Sequence, residues 1–343
     1  MATDYKIVDK VLIIEAGREE IDSNEFYGLK IKKAIIPEGI KRIGSWGFGG
    51  CEKLEEVVLP ASIESIAKDA FALCPLKEII FTDGCPNLKE VYISSFTDYS
   101  PWTQKQRKEH EFFMFGTKLF MHGEGSSSVI IPNGVEIIGA SSFSENDQEN
   151  VIEEVTIPEG VKTIERGAFA ACRKLKSVHL PSSLEIIEDS AFSGCENLVE
   201  IVLPDNLKSL GASVFDACSS LEMITFPEKL KTIGEDLFSS GYFSVKMKLQ
   251  KVVGLIPAML NGCKINAKTS MWLLQNLWKD ENSLQEIVAV YLTQSGTKVL
   301  SQAELILWRN AEQTISIMQE FKANYKLKPA TIKKIDAFIE QHA

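Results

Sequence analysis

The side chains that most often carry out chemistry in proteins are sparse in this sequence. The four histidines lie far apart, at His110, His122, His179 and His342. None has the i,i+4 partner of a helical zinc site, and neither "KEHEFF" nor "MHGEG" supplies one. The "GFGG" segment (Gly47–Gly50) has no following Lys-Ser/Thr pair, so it does not match a phosphate loop. With no GxSxG elbow and no calcium-loop spacing, the sequence predicts no catalytic residue, no metal ligand, no cofactor and no enzymatic activity.

Cysteine chemistry needs separate treatment, because the chain has seven cysteines, no two of them closer than 11 positions. No CxxC motif therefore exists. Five share one position of an internal repeat: Cys51, Cys74, Cys172, Cys195 and Cys218. In coils stacked about 5 Å apart, neighbouring thiols are within reach of a disulfide, yet side chains in such a column point the same way. We predict buried thiols with a packing role and no disulfide framework.

These cysteines belong to a repeat of 23 residues. Leu180–Pro204 reads "LPSSLEIIEDSAFSGCENLVEIVLP", and the following residues repeat the pattern as "LPDNLKSLGASVFDACSSLEMITFP". In seven segments a proline is followed 11 residues later by a phenylalanine. The pairs are Pro37 and Phe48, Pro60 and Phe71, Pro132 and Phe143, Pro158 and Phe169, Pro181 and Phe192, Pro204 and Phe215, and Pro227 and Phe238. A polar insertion, Ser144–Asn150, lengthens one interval to 26.

Each copy is too short to bury its own core, whereas stacked copies cover one another. The alternation in "LVEIVLP" predicts a short half-buried strand, with Ile201 and Leu203 inward and Glu200 and Val202 outward. Pro204 lacks an N–H and ends the strand. Strands of successive copies would therefore align in parallel.

The pattern resembles the bacterial leucine-rich repeats of the BspA-like (treponemal) type. The resemblance is carried by "LKSVHLPSSLEIIEDSAFSGC" (Leu175–Cys195) and "LEEVVLPASIESIAKDAFALC" (Leu54–Cys74), and it covers about residues 30–243. It implies an α/β repeat fold, a curved solenoid with a parallel β-sheet on the concave side and an irregular convex side. The family includes surface proteins and adhesins that bind host proteins.

Four regions are predicted along the chain. They are an N-terminal β cap (1–29), the solenoid (30–243) with an irregular insertion near 94–128, a junction (244–264), and a small all-α C-terminal domain (265–343). In the insertion, "YSPWTQKQRKEHEFFMFGTKLFMHGEGSSS" replaces the usual arm. We interpret it as an irregular coil with a bulging loop centred on Trp102, which either adjoins a binding surface or packs on the flank.

Helix signals mark the C-terminal domain. "SLQE" (Ser283–Glu286) and "SQAE" (Ser301–Glu304) are capping boxes, and Pro329 suits a first helical turn. Helices are predicted near 268–280, 283–294, 300–310, 312–325 and 329–341, joined by short links into antiparallel hairpins. Three tryptophans, Trp272, Trp278 and Trp308, would form its core or junction, or else an exposed docking face.

Charge and hydropathy narrow the range of partners. The formal net charge is −10; residues 265–343 carry 9 Lys/Arg and 8 Asp/Glu, so residues 1–264 hold −11. Such a surface repels phosphate backbones, which argues against nucleic acid. No apolar run approaches the ~18 residues of a membrane span. The start does not read as a signal peptide, so we expect a cytoplasmic protein as the sequence stands, and a surface or secreted one if a leader was removed.

The outward positions of the strands form two columns on the predicted concave face. The first runs Lys33, Glu56, Glu78, Glu90, Ser128, Glu154, Ser177, Glu200, Met223; the second runs Ile35, Val58, Ile80, Tyr92, Ile130, Thr156, His179, Val202, Thr225. An apolar strip flanked by charge is typical of protein-binding surfaces, although strand propensity alone also selects β-branched residues. The candidate ligand-binding residues are Glu56, Val58, Glu78, Ile80, Glu90, Tyr92, Thr156, His179, Glu200, Val202 and Thr225, with Trp102 as the loop candidate.

The sequence therefore predicts a non-catalytic protein–protein interaction scaffold that binds a protein or peptide on the concave face. One alternative, suggested by the family resemblance, is a cell-surface adhesin that binds a host matrix protein. A more distant alternative is carbohydrate binding, which requires several exposed aromatic side chains, whereas the two columns offer only Tyr92.

Overall fold

A computed structural model of the chain describes residues 5–96, 100–123, 126–144, 151–238, 251–260, 263–265, 269–270, 273–274, 284–293, 303, 306–307 and 309–342. The chain divides into two compact units. The N-unit comprises Met1–Gly125 and Val135–Phe143, and the C-unit comprises Ser126–Gly134 and Ser144–Ala343.

The N-unit contains eleven described strands and one α-helix. The strands are β1 (Tyr5–Val8), β2 (Val11–Ile14), β3 (Glu20–Ile21), β4 (Lys33–Ile35), β5 (Arg42–Ile43), β6 (Glu56–Leu59), β7 (Ser65–Ile66), β8 (Glu78–Phe81), β9 (Phe112–Phe115), β10 (Lys118–His122) and β12 (Ile137–Ile138). The helix is α1 (Pro101–Glu109). The first sheet has the order β1-β2-β4-β6-β8 and is parallel except for the β1–β2 hairpin. The second, β3-β5-β7, is parallel throughout, and β10 pairs with both β9 and β12.

The C-unit repeats this arrangement. Its strands are β11 (Ser128–Ile130), β13 (Glu154–Thr156), β14 (Thr163–Ile164), β15 (Ser177–His179), β16 (Ile186–Ile187), β17 (Glu200–Val202), β18 (Ser209–Leu210), β19 (Met223–Thr225), β20 (Thr232–Ile233), β21 (Lys251–Val253) and β22 (Lys264–Ile265). The first strands of the coils form the ladders β11-β13-β15 and β17-β19-β21, and the second strands form β14-β16-β18-β20-β22. All the pairings within these C-unit ladders are parallel where their register is resolved. The predicted parallel repeat solenoid is confirmed.

Stacked phenylalanines fill the core of each unit. In the N-unit the ring centroids of Phe26, Phe48, Phe71 and Phe96 are 5.3, 5.0 and 5.7 Å apart in succession. In the C-unit those of Phe169, Phe192, Phe215 and Phe238 are 5.2, 6.1 and 6.3 Å apart. These rings are at most 2% exposed. Because each ring packs between rings of neighbouring coils, a single copy could not bury it.

The repeated cysteines complete this core. All seven cysteines of the chain are buried thiols, as predicted. The Cys51 thiol donates to the Phe26 carbonyl at 3.2 Å, and Cys195 donates to the Phe169 carbonyl at 3.3 Å, so each thiol reaches the preceding coil. Burial raises the pKa of Cys85 to about 11 and that of Cys263 to about 12. The nucleophilic thiolate is therefore scarce at neutral pH.

We expect the native chain to resist thiol reagents. Ellman's reagent at pH 8 should label the thiols only as fast as the repeats open, since burial keeps the reagent from all of them and, at Cys195 and Cys218, also raises the pKa. The measurement is the labelling rate with and without denaturant. Unfolded chain, in which all seven thiols are available, is the control, and rapid labelling of native Cys195 or Cys218 would contradict the packing role.

Both ends of the solenoid lie at other residues than the sequence predicts. Strands β2 and β3 already run parallel to β4 and β5, so the first coil begins within the predicted cap at 1–29. At the other end, β21 pairs with β19 and β22 pairs with β20. The predicted junction at 244–264 therefore contributes a further coil, with the helix α2 (Leu255–Leu260) between its two strands. Neither terminal coil carries the spacing from proline to phenylalanine that marks seven of the repeats.

The segment around Trp102 forms a helix instead of the predicted bulging loop, and it packs against the core, as one of the two predicted alternatives has it. Ser100 caps α1 by accepting a hydrogen bond from the Thr103 amide at 3.2 Å, and Pro101 begins the helix. Trp102 is 4% exposed, and its ring lies 5.4 Å from that of Phe96 and 5.8 Å from that of Phe113. The β9–β10 hairpin follows the helix. The segment packs on the core of the N-unit because burial of its aromatic side chains is favourable, even though the sequence around them does not follow the repeat.

Helices form the described C-terminal part of the C-unit: α3 (Leu284–Thr293), α4 (Ala311–Asn324) and α5 (Pro329–His342). They match three of the predicted helices within two residues. The short described pieces of the other two predicted helices, near 268–280 and 300–310, are helical. The capping-box serines, the three tryptophans of this region and the polar insertion beyond Ser144 lie outside the described residues.

Helix α3 is the central element of this region, because it is buried at Ile287, Val288 and Val290. The ring of Tyr291 lies 6.0 Å from that of Phe338 on α5, and Lys334 Nζ donates to the Tyr291 carbonyl at 2.5 Å. An apolar helix of this kind requires neighbours on several sides, which α2, α4 and α5 supply.

Candidate interaction surface

The solvent side of the first sheet in the N-unit carries two rows of side chains in parallel register. The register aligns Ile35, Val58 and Ile80 in one row and Lys33, Glu56 and Glu78 in the next. Lys33 Nζ lies 2.5 Å from Glu56 Oε1, so this predicted carboxylate already has a partner. Ile80 is 39% exposed and Val58 is half-buried. The N-unit surface is thus a modest apolar strip with a partly neutralised acidic edge.

Two predicted residues of this surface belong elsewhere. Glu90 forms a bridge with Ser65 of β7, and the Ile66 amide donates to the Glu90 carbonyl at 2.8 Å, so this segment continues the second sheet. The Tyr92 ring lies 4.7 Å from Lys68 Nζ and 5.3 Å from Lys118 Nζ. Glu90 and Tyr92 therefore do not extend the column of Glu78 and Ile80. The cause is that β8 is the first strand of this coil and "NLKEVYISSF" is its second arm, which ends in Phe96.

The equivalent surface of the C-unit is more exposed. We define the C-unit strand face as the solvent side of β11, β13, β15, β17 and β19. The register aligns Ile130 with Thr156 and His179, and aligns Val202 with Thr225. Ile130 is 71% exposed and Val202 is 59% exposed, whereas their inward neighbours Val129 and Ile201 are at most 2% exposed. Among the large apolar side chains described, none is more exposed than Ile130.

Charged side chains border this strip. His179 Nε2 lies 3.2 Å from Glu154 Oε1, and Lys176 Nζ lies 2.8 Å from Glu153 Oε2. Glu200 is exposed in the next coil. The predicted positions Thr156, His179, Glu200, Val202 and Thr225 thus share one face. Ile130 stood in the same column of the sequence but was not among the candidates, and only the exposed fraction distinguishes it.

Two other kinds of feature, a metal site and a membrane-spanning helix, are absent from the described part of the chain. No group of three or more His, Cys, Asp or Glu side chains lies close enough to hold a metal ion there. No described helix is both long and apolar enough to cross a bilayer.

The comparisons with known proteins agree with the geometry. The model for the BspA type leucine rich repeat region matches six copies across residues 19–150 and 147–258. The chain belongs to the BspA-type leucine-rich repeat family. Proteins of this family are generally not enzymes, and leucine-rich repeat proteins typically bind other proteins. The comparison with curated proteins found no match.

Solved structures similar to this BspA-type protein come from several bacteria. The pneumococcal vaccine antigen PcpA is 21% identical, with 68% of this chain and 59% of that chain covered and a TM-score of 0.43. A leucine rich cell surface protein from Faecalibacterium prausnitzii is 23% identical, with 74% and 65% covered and a TM-score of 0.43. A leucine-rich repeat protein from Bacteroides ovatus is 19% identical, with 77% and 90% covered and a TM-score of 0.33. The chain thus spans less than two thirds of the first two structures.

Proposed function

We propose that this BspA-type protein is a non-catalytic interaction scaffold that binds a protein or an extended peptide on its C-unit strand face. The observation that carries the proposal is the exposure of Ile130 and Val202, at 71% and 59%, at equivalent positions of parallel strands. Covering such side chains releases water from apolar surface, and each contributes about 1 to 2 kcal/mol when buried.

The acidic border supports a partner with basic side chains beside its apolar ones. Glu154 and Glu200 flank the strip on the same strands as Thr156 and Val202, and residues 1–264 hold a net charge of −11. Complementary charge increases the association rate and discriminates between partners more than it increases affinity. The strand backbones are already paired with one another, so recognition relies on side chains.

A displayed library of random linear peptides, selected against the full chain, tests this proposal. We expect the selected peptides to bind the Ile130→Asp/Val202→Asp double variant at least about tenfold more weakly, because an Asp in a covered apolar contact leaves an unpaired buried charge. The measurement is the dissociation constant by calorimetry.

Ile186→Asp is the matched control. Ile186 is 39% exposed in the same unit, but it lies on β16 of the second sheet. It should leave the affinity unchanged. Equal losses for both variants, or no loss for the double variant, would remove the C-unit strand face as the binding site.

A further inference from the structure

A second surface of the N-unit is built differently from every equivalent turn that the structure describes. Two residues before each of eight buried phenylalanines the backbone has a positive φ, at Asn24, Trp46, Asp69, Ser141, Gly167, Ser190, Ser213 and Asp236. Seven of these are Gly, Asn, Asp or Ser, residue types that are small or bond their own backbone there. The exception is Trp46, at φ 60°. A bulky residue in this region is a true outlier.

The adjacent coil contains a second outlier. Two residues after the phenylalanines the φ is again positive, at Gly28, Gly50, Leu73, Ala171, Gly194 and Ala217. Leu73 is the one large side chain in this described set, at φ 61°, and it is 63% exposed. The Gly50 amide donates to the Ala72 carbonyl at 2.8 Å, which places Leu73 directly beside the Trp46 coil.

Glycines make room for the aromatic rings. Tyr27 is 54% exposed, and its ring centroid lies 6.0 Å from that of Trp46. A Cβ on Gly49 would lie 2.4 Å from Cε3 of Trp46, and one on Gly50 would lie 3.2 Å from Cε2 of Tyr27. The "GFGG" segment therefore lets Trp46 lie against the backbone of its own turn at Gly49, and lets Tyr27, from the preceding coil, lie against Gly50. We call Tyr27 and Trp46 the aromatic platform; Leu73 lies in the adjacent coil.

Polar side chains flank the platform. Asn24 and Asp69 occupy the position of Trp46 in the coils on either side. The hydrogen bonds that the Asn24 amide donates to the Ser45 carbonyl and the Phe48 amide donates to the Ala70 carbonyl align these coils. No hydrogen bond to another described residue involves either side chain. An amide donates and accepts, and a carboxylate accepts. Strain of this kind persists where the surrounding structure enforces it, characteristically at binding sites.

We propose that the aromatic platform binds carbohydrate, with the apolar face of one pyranose ring on Trp46, its edge against Tyr27, whose ring plane is tilted by 49° from that of Trp46, and its hydroxyls on Asn24 and Asp69. A sugar presents C–H groups on one face and, at its rim, hydroxyls that donate and accept. Aromatic rings bordered by a few polar groups match both. The turn amides are already bonded between coils, as in Gly28 to the Gly49 carbonyl at 2.9 Å, so recognition at this surface also relies on side chains.

The decisive variant is Trp46→Asn, since Asn occupies this position in the preceding coil. It should weaken sugar binding at least about tenfold and raise the midpoint of thermal unfolding, because it relieves the strained backbone. The probes are tetrasaccharides of glucose, mannose, xylose and N-acetylglucosamine at about 10 mM, added to the full ¹⁵N-labelled chain. In the wild type and in the Tyr27→Ala and Ser213→Asn variants the readout is the Trp46 indole N–H resonance, identified by its loss in Trp46→Asn. For Trp46→Asn itself the dissociation constant is measured by calorimetry.

Controls make the result unambiguous. Tyr27→Ala should weaken binding of the same sugar at least about fivefold, whereas Ser213→Asn, at the equivalent position of the C-unit, should not change it. The proposal is overturned if none of the four sugars shifts the Trp46 resonance, if Trp46→Asn binds as the wild type does, or if only peptides occupy the platform. This surface is separate from the C-unit strand face, so the carbohydrate proposal and the interaction-scaffold proposal can be refuted independently.

Discussion

Phe192→Ala is expected to lower the free energy of unfolding by about 3–5 kcal/mol. Phe192 is fully buried between Phe169 and Phe215, with ring centroids 5.2 and 6.1 Å away and planes within 13° of parallel. Its removal leaves a cavity in the stack between the Phe169 and Phe215 rings. Because each coil is stabilised chiefly by its neighbours, the loss should propagate along the C-unit.

Guanidinium unfolding followed by circular dichroism measures this change. Phe192→Leu keeps most of the volume and should cost less than half as much. Val202→Ala, on the exposed side of β17, should stay within about 0.5 kcal/mol. If Phe192→Ala were as mild as Val202→Ala, the stacked phenylalanines would not be the core of the repeat.

The second large effect is expected from acid. His122 is 1% exposed, and neither ring nitrogen hydrogen-bonds to any described residue. Its ring lies 4.9 Å from that of Phe143, and Arg107 Nη1 donates to its backbone carbonyl at 3.2 Å. Burial, with a smaller contribution from the Arg107 charge, lowers the pKa of His122 from 6.5 to about 4.

The sign of the effect follows from proton binding. Between pH 6.5 and 4 the unfolded chain holds a proton on His122 that the folded chain does not, so stability falls as the pH falls through this window. The full difference amounts to about 3 kcal/mol. Above pH 7 both states are neutral at this residue, and the contribution is constant.

His122→Phe isolates this contribution. The variant keeps an aromatic ring against Phe143 but cannot titrate, so its stability should fall less between pH 6.5 and 4, by about 3 kcal/mol. Carboxylates whose pKa is lowered by hydrogen bonds, such as Asp189 on the Ala212 amide and Arg166, contribute equally to both proteins. Unfolding free energies at a series of pH values test this, and parallel curves for the two proteins would contradict it.

The repeat sequence predicted the core because the core side chains recur at a fixed spacing. The interval from each proline to its phenylalanine placed Phe169, Phe192 and Phe215 in one stack, and the alternation in each strand identified the outward column that contains Ile130 and Val202. Both inferences depend only on periodicity, which the fold of a repeat protein preserves.

The repeat spacing predicted the wrong positions for residues in the coils that lack the proline. Phe26 and Phe96 join the stack, but Phe26 lies 22 residues before Phe48 and Phe96 lies 25 residues after Phe71, instead of 23. The "NLKEVYIS" segment resembles the first strand of a coil, so the prediction assigned Glu90 and Tyr92 to the wrong sheet. Pattern matching cannot decide where an insertion lies within a coil, whereas the hydrogen bond from Ile66 to Glu90 does.

The sequence did not predict the helix at Trp102 or the aromatic platform, and the reasons differ. A local helix signal was present in Ser100-Pro101, an N-cap followed by proline, but the lost repeat pattern concealed it. The sequence shows Trp46 at a repeat position where the other copies have Asn, Asp, Ser or Gly. Its significance depends on a positive φ at that position, and a backbone angle is visible only in the structure.

The most direct measurement of the interaction-scaffold proposal is site-specific photo-crosslinking to a library-selected peptide. Benzoylphenylalanine is placed either at Thr156, on the C-unit strand face, or at Thr163, a half-buried threonine on the second sheet of the same unit. We predict that the peptide crosslinks to the probe at position 156 and not at position 163. Crosslinking at position 163 alone would place the partner on the other sheet and contradict the proposal.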